Sequence, residues 1–196
     1  MSIADKMRAS IERSSMIRKM FEEGRRLKVE FGENNVFDFS LGNPDLLPPE
    51  SFSQTLIEKA ADRSADLHDL PADGGLVAAR EAVSKALTVD QGMPVASGDV
   101  VMTYGAGGAL NITMKALLNP GDEVVILTPY FVDYTNYVEN HGGVPVLVST
   151  KKDFTLDIEA IGAAITTKTK ALIINSPNNP TGQIYSKESL EALGDI

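Results

Sequence analysis

Three short segments gather residue types from which a site for a small polar molecule can be built. Gly105-Ala106-Gly107-Gly108 presents backbone N–H groups with almost no side chain in front of them. Pro129-Tyr130-Phe131 presents an aromatic face, and Asn175-Ser176-Pro177-Asn178-Asn179-Pro180-Thr181-Gly182 presents amide side chains on a turn. An anion, a flat ring and a polar ring substituent would each find a partner among them. Each segment also has a plainer reading. The glycines suit a tight turn that lets a helix approach a sheet, Tyr130, Phe131, Tyr134 and Tyr137 suit core packing at helical spacing, and Asn178-Asn179-Pro180 is a turn signal.

Other chemistries are excluded or disfavoured by what the chain lacks. Its 196 residues contain no cysteine, so neither a disulfide framework nor a thiolate metal site exists. The two histidines, His68 and His141, are isolated, and no metal site is expected. The glycine segment is not a P-loop, because no Gly-Lys-Ser/Thr follows, and it is not the dinucleotide fingerprint. Eighteen Lys plus Arg against 27 Asp plus Glu give a formal charge of -9, which leaves no basic footprint for nucleic acid or an anionic membrane. Residues 1–26 lack the apolar region of a secretory signal, and no stretch approaches the roughly 18 apolar residues of a membrane span. A soluble, cytoplasmic protein is the expectation.

The elements that must position the three segments follow from periodicity. An amphipathic helix is predicted over 14–30, a short alternating run over 36–41, and helices over 50–63 and 75–87. From residue 99 the rhythm becomes regular: strand 99–104, glycine turn 105–108, helix 109–118, strand 123–128, helix 131–140 and strand 144–149. Helix 157–165, strand 170–175 and a helix opening at 186–193 follow. Strands such as Val124-Val125-Ile126-Leu127 and Ala171-Leu172-Ile173-Ile174 are continuously apolar, as required when helices cover both faces of a parallel sheet. The fold class is therefore α/β, a mostly parallel sheet flanked by helices, in which ligands bind outside the C-terminal ends of the strands. All three segments fall at strand-to-helix loops of that kind.

Read in order, the motifs resemble those of the class I/II aminotransferases, pyridoxal-phosphate enzymes of fold type I similar to aspartate aminotransferase. The resemblance rests on Leu41-Gly42-Asn43-Pro44-Asp45, on Gly105-Ala106-Gly107-Gly108-Ala109-Leu110 through Asn119-Pro120-Gly121-Asp122-Glu123-Val124, and on Ser176-Pro177-Asn178-Asn179-Pro180-Thr181-Gly182. It runs from about residue 35 onward, and the last motif is the most specific. It implies an N-terminal arm and the start of a small domain over 1–48, and the first part of a large cofactor-binding domain over 49–196.

The resemblance also implies roles. Gly105, Ala106 and Gly107 correspond to the loop whose amides and helix dipole hold the cofactor phosphate. Phe131 corresponds to the aromatic stacked on the pyridine ring, and Asn179 to the side chain bonded to the ring's phenolic oxygen. Gly42 corresponds to the small residue beside the substrate carboxylate. The implied reaction moves an amino group between an amino acid and a 2-oxo acid through a Schiff base with pyridoxal 5'-phosphate, in a homodimer with shared sites.

In the family the reactive lysine lies downstream of Asn-Pro-Thr-Gly. Lys168, Lys170 and Lys187 do not stand in its context and read as solvated charges. These 196 residues are therefore expected to supply cofactor contacts but no catalytic group, and to be an inactive, incomplete chain on their own. One position departs from the family: Leu70 stands where a tyrosine often reaches a neighbouring subunit's phosphate, and His68 reads as a surface residue. Two other readings are a pyridoxal-phosphate lyase of the same fold, and a non-catalytic small-molecule binding module if the chain ends naturally at Ile196. An aspartate-type substrate is the leaning among the family's specificities.

Overall fold

The computed structural model describes residues 3, 5–39, 46–64, 70 and 74–196. They belong to two compact units, Met1–Asp69 and Leu70–Ile196. The motif Leu41–Asp45, with Gly42, and also His68 lie outside the described residues.

In the first unit, helix α1 (Asp5–Phe31) starts well before residue 14, because Asp5 to Arg13 contains neither Gly nor Pro to stop it. A short 3-10 turn, Glu33–Asn35, follows, and then α2 (Glu50–Ala61). Gly24 makes room for the returning chain: a Cβ there would lie 2.7 Å from Asp38 Oδ2. The Asp38 carboxylate pairs with Lys28 at 3.3 Å. Residues 36–39 alternate in polarity yet form no strand, since no described segment pairs with them.

The second unit opens with α3 (Val77–Gln91) and then builds the sheet. Its elements are α4 (Gly105–Leu117), β1 (Glu123–Thr128), α5 (Tyr134–Glu139), β2 (Val144–Ser149), α6 (Ile158–Ala164), β3 (Thr169–Ile173) and α7 (Lys187–Gly194). The strands run parallel in the order β2-β1-β3. Residues of β1 alternate between two cores. Val124 and Ile126 pack with Met114 of α4 and Val138 of α5. Val125 and Leu127 pack on the opposite face with Leu156, Ile161 of α6 and Tyr185. Both faces of β1 are thereby sealed, which explains why its sequence is apolar without interruption.

Two local expectations are corrected. Residues 100–104 form no strand: Val100 is extended, at φ -101° and ψ 126°, but no described strand lies alongside, and only Met102 N bonds outward, to Gly74 O at 3.0 Å. The described sheet accordingly has three strands rather than four. The glycines of 105–108 do not form a separate turn but are the first turn of α4, entered through Gly105 at φ +70°. That angle costs an L side chain about 1–2 kcal/mol, which glycine avoids.

Connections are fixed by side chains the sequence marks. Asp122 Oδ2 accepts hydrogen bonds from Asn119 N at 2.8 Å and Asn119 Nδ2 at 3.1 Å, and these hold its carboxyl below the usual carboxylate range. Asp157 caps α6 by accepting from Ala160 N, and Ser186 caps α7 by accepting from Ser189 N. Gly143, which starts the way into β2, is packed tightly: a Cβ would meet Leu118 Cδ1 at 2.7 Å and Val138 Cγ1 at 2.8 Å. Gly143→Ala should therefore destabilise the unit by about 1–3 kcal/mol in urea unfolding, and an unchanged midpoint would contradict this packing.

Candidate functional site

The strand order sets which loops lie side by side. β1 leaves over α5 to β2 on one side, and β2 returns over α6, on the opposite face, to β3 on the other side of β1. Ligands of open parallel sheets bind outside the C-terminal ends of the strands. The candidate crevice is therefore the space between the loop after β1, carrying Pro129 to Phe131, and the loop after β3, carrying Asn175 to Gly182. The N-terminus of α4 comes to the same end, because α4 runs back against the sheet before β1 begins.

Contacts tie the three segments together. The buried Asn178 donates from Nδ2 to Pro129 O at 3.2 Å, which spans the gap from β3 to β1. Phe131 is half-buried, and its ring meets Tyr134 edge-on, with centroids 5.7 Å apart and planes at 70°. One turn on, Tyr137 lies against α4: a Cβ on Gly107 would stand 2.8 Å from Tyr137 Oη. A side chain at 107 would displace the Tyr137 hydroxyl, while the glycine at 105 is favoured by its backbone angle. Burial, and secondarily Tyr137, push the Tyr134 phenol above its ordinary value, so it stays protonated at neutral pH.

The first turn of α4 is bare. Tyr104 at its N-cap makes no side-chain cap, and no acidic residue stands in the first turn, in contrast to the capped α6 and α7. Gly105 and Ala106 are exposed, and Gly107 is half-buried. Asn179 is also exposed; its N–H is bonded to Asn175 Oδ1 at 2.9 Å, while its carboxamide bonds to no described residue. A carboxamide with no partner among the described residues, an aromatic ring in contact with a second ring, and a helix N-terminus without a side-chain cap therefore stand on neighbouring loops. The donor set fits a planar ring bearing an anionic group and an oxygen substituent.

Of the residues singled out from sequence, Gly105, Ala106, Gly107, Phe131 and Asn179 fall on these connected loops, and Gly42 lies outside the described residues. Lys168 and Lys170 are exposed at the N-terminal end of β3, opposite the crevice, and Lys187 pairs with Glu191 at 3.6 Å. Leu70 is fully exposed. Sequence reasoning did not single out Asn178 or Tyr137 as parts of the site. The signal for Asn178 was its place within the turn motif, and for Tyr137 its helical offset of three from Tyr134.

Comparison with known proteins follows this geometry. The family described as aminotransferase class I and II matches residues 34–196. The asparagine–oxo-acid transaminase of Streptococcus mutans is 36% identical over 163 residues, 82% of this chain and 41% of that protein. The aspartate aminotransferase of Geobacillus stearothermophilus is 38% identical over 177 residues, 89% of this chain and 44% of that protein. A crystal structure of an amino transferase from Eubacterium rectale superposes with a TM-score of 0.92 at 33% identity, covering 100% of this chain and 50% of that one. The chain thus spans less than half the length of these two curated relatives.

Proposed function

This chain belongs to the class I and II aminotransferases, and from that premise we propose that residues 105–182 hold pyridoxal 5'-phosphate for amino transfer between an amino acid and a 2-oxo acid. The observation that carries the reading is the continuous set of contacts linking Gly107, Tyr137, Tyr134 and Phe131 on one wall, and Pro129, Asn178 and Asn179 on the other. When bound, the cofactor supplies an electron sink for the amino acid's Cα and carries the amino group between donor and acceptor.

The chain's own residues then divide the work. The amides of Gly105, Ala106 and Gly107 hold the phosphate at the positive end of α4, the Gly105 N–H exchanging its 2.9 Å bond to Thr103 O for a phosphate oxygen. Phe131, held edge-on by Tyr134, would cover one face of the ring. Asn179 donates from its carboxamide to the phenolic oxygen and favours the ionised form there. Gly42 leaves space beside the substrate carboxylate. None of Lys168, Lys170 and Lys187 takes the covalent role, since the first two lie at the far end of β3 and the third is exposed and paired.

The relatives named for asparagine and aspartate support an aspartate-type amino donor. Among the described residues no helix is long and apolar enough to cross a membrane. A cytoplasmic homodimer completes the proposal, with arm and small-domain residues over 1–48 and large-domain residues from 49.

Equilibrium dialysis tests the cofactor reading. Pyridoxal phosphate should be retained at least about tenfold more tightly than pyridoxal, because the phosphate adds charge-assisted hydrogen bonds worth about 1.5–3 kcal/mol each. Equal retention of the two compounds would end it. In a longer chain that carries the reactive lysine, aspartate followed by a 2-oxo acid should shift and then restore the visible absorption; no change in either step would remove the transferase assignment.

A further inference from the structure

Asn178 differs from every other polar residue of the crevice in being buried, at 9% exposure. Both hydrogens of its amide are used: Nδ2 donates to Pro129 O at 3.2 Å and to Thr181 Oγ1 at 2.9 Å. Its backbone is closed as well, with Asn178 N bonded to Gln183 O at 2.9 Å and Gly182 N to Asn178 O at 2.7 Å. The next residue, Asn179, has its N–H held by Asn175 Oδ1. A single side chain thus joins the loop carrying Asn179 to the loop carrying Phe131, beyond the C-terminal end of the β1–β3 ladder.

We propose that Asn178 is a positioning residue, a strap that fixes the Asn179 carboxamide and the Phe131 ring at the separation a bound pyridoxal ring requires. This rests on the cofactor reading above. The chemistry explains why asparagine serves here. Pro129 contributes a carbonyl, so the partner must donate; Thr181 offers an oxygen that already accepts from Gln183 N at 3.2 Å. A carboxamide supplies two donors from one nitrogen, in a plane that reaches both. A carboxylate of the same shape would set oxygen against the Pro129 carbonyl, and an exposure of only 9% leaves little water to relieve that repulsion. The strap touches neither α4 nor its amides, so its loss should affect the ring and spare the phosphate.

That separation gives the test. Binding of pyridoxal phosphate and of inorganic phosphate is measured on the parent chain and on Asn178→Asp, with thermal unfolding followed alongside. The expected result is a loss of about tenfold in pyridoxal-phosphate affinity, the scale of one mis-set hydrogen bond to a charged oxygen, with inorganic phosphate changed less than about twofold. Parallel weakening of both ligands would mean a general structural role and would overturn the proposal, as would no weakening of either. Should Asn178→Asp fail to fold, Asn178→Ser, neutral but too short to span to Pro129, is measured with the same expectation and the same overturning outcomes. If the parent chain itself does not prefer pyridoxal phosphate over pyridoxal, the cofactor reading fails, a result separable from failure of the strap.

Discussion

Ala106→Asp should make the protein slightly more stable while reducing its affinity for pyridoxal phosphate about 100-fold or more. The two effects have one cause. The first turn of α4 has no side-chain cap and no acidic residue; Gly105 N is bonded to Thr103 O, but no side chain of that turn offsets the helix's partial positive charge. A carboxylate there interacts favourably with the helix dipole, a gain of about 0.3–1 kcal/mol. The same carboxylate competes for the donors and repels an incoming phosphate, removing one or more charge-assisted hydrogen bonds of about 1.5–3 kcal/mol each. Ala106 is exposed, so the new side chain meets no packing obstacle. Thermal unfolding and dialysis on the same samples decide the matter. Unaltered cofactor affinity would move the phosphate away from this helix end.

The second large effect concerns stability alone. Ile126 is fully buried, lies opposite Leu147 of β2 and Ile173 of β3 in the parallel ladders, and packs with Met114 and Val138 from the covering helices. Ile126→Ala removes contacts on every side, and we expect a loss of about 2–5 kcal/mol in urea unfolding. Small domains have only about 5–15 kcal/mol in total, so this one change takes a large fraction of it. Leu147 is half exposed on the flanking strand β2, and Leu147→Ala should cost distinctly less. Equal losses at the two positions would contradict the placement of β1 at the centre of the sheet.

The contrast between these positions explains what the sequence could reveal. Val124 to Leu127 is legible as a strand because burial on both faces demands an unbroken apolar run, and the pattern alone carries that demand. Asp157 and Ser186 are legible as helix starts because capping is a local bond, made within three residues. Residues 100–104 read as a strand for equally local reasons, but strand character needs a neighbour, and none of the described segments provides one. The entry into α4 at Gly105 instead of after Gly108 follows from a left-handed backbone angle that composition permits without requiring. Of the site, the glycines, Phe131 and Asn179 could be named from loop position and family likeness. Asn178 and Tyr137 could not, because their partners, Pro129 and Gly107, lie 49 and 30 residues away in sequence. Only the strand order β2-β1-β3 and the packing of α4 on α5 bring them together.

That strand order also bears on how the chain folds as it leaves the ribosome. β1 emerges first and becomes the central strand; β2 then docks on one flank, and β3 passes over to the other. β2 and β3 therefore each find their partner, β1, already synthesised. The two loops that Asn178 joins can accordingly come together as soon as residue 182 has emerged.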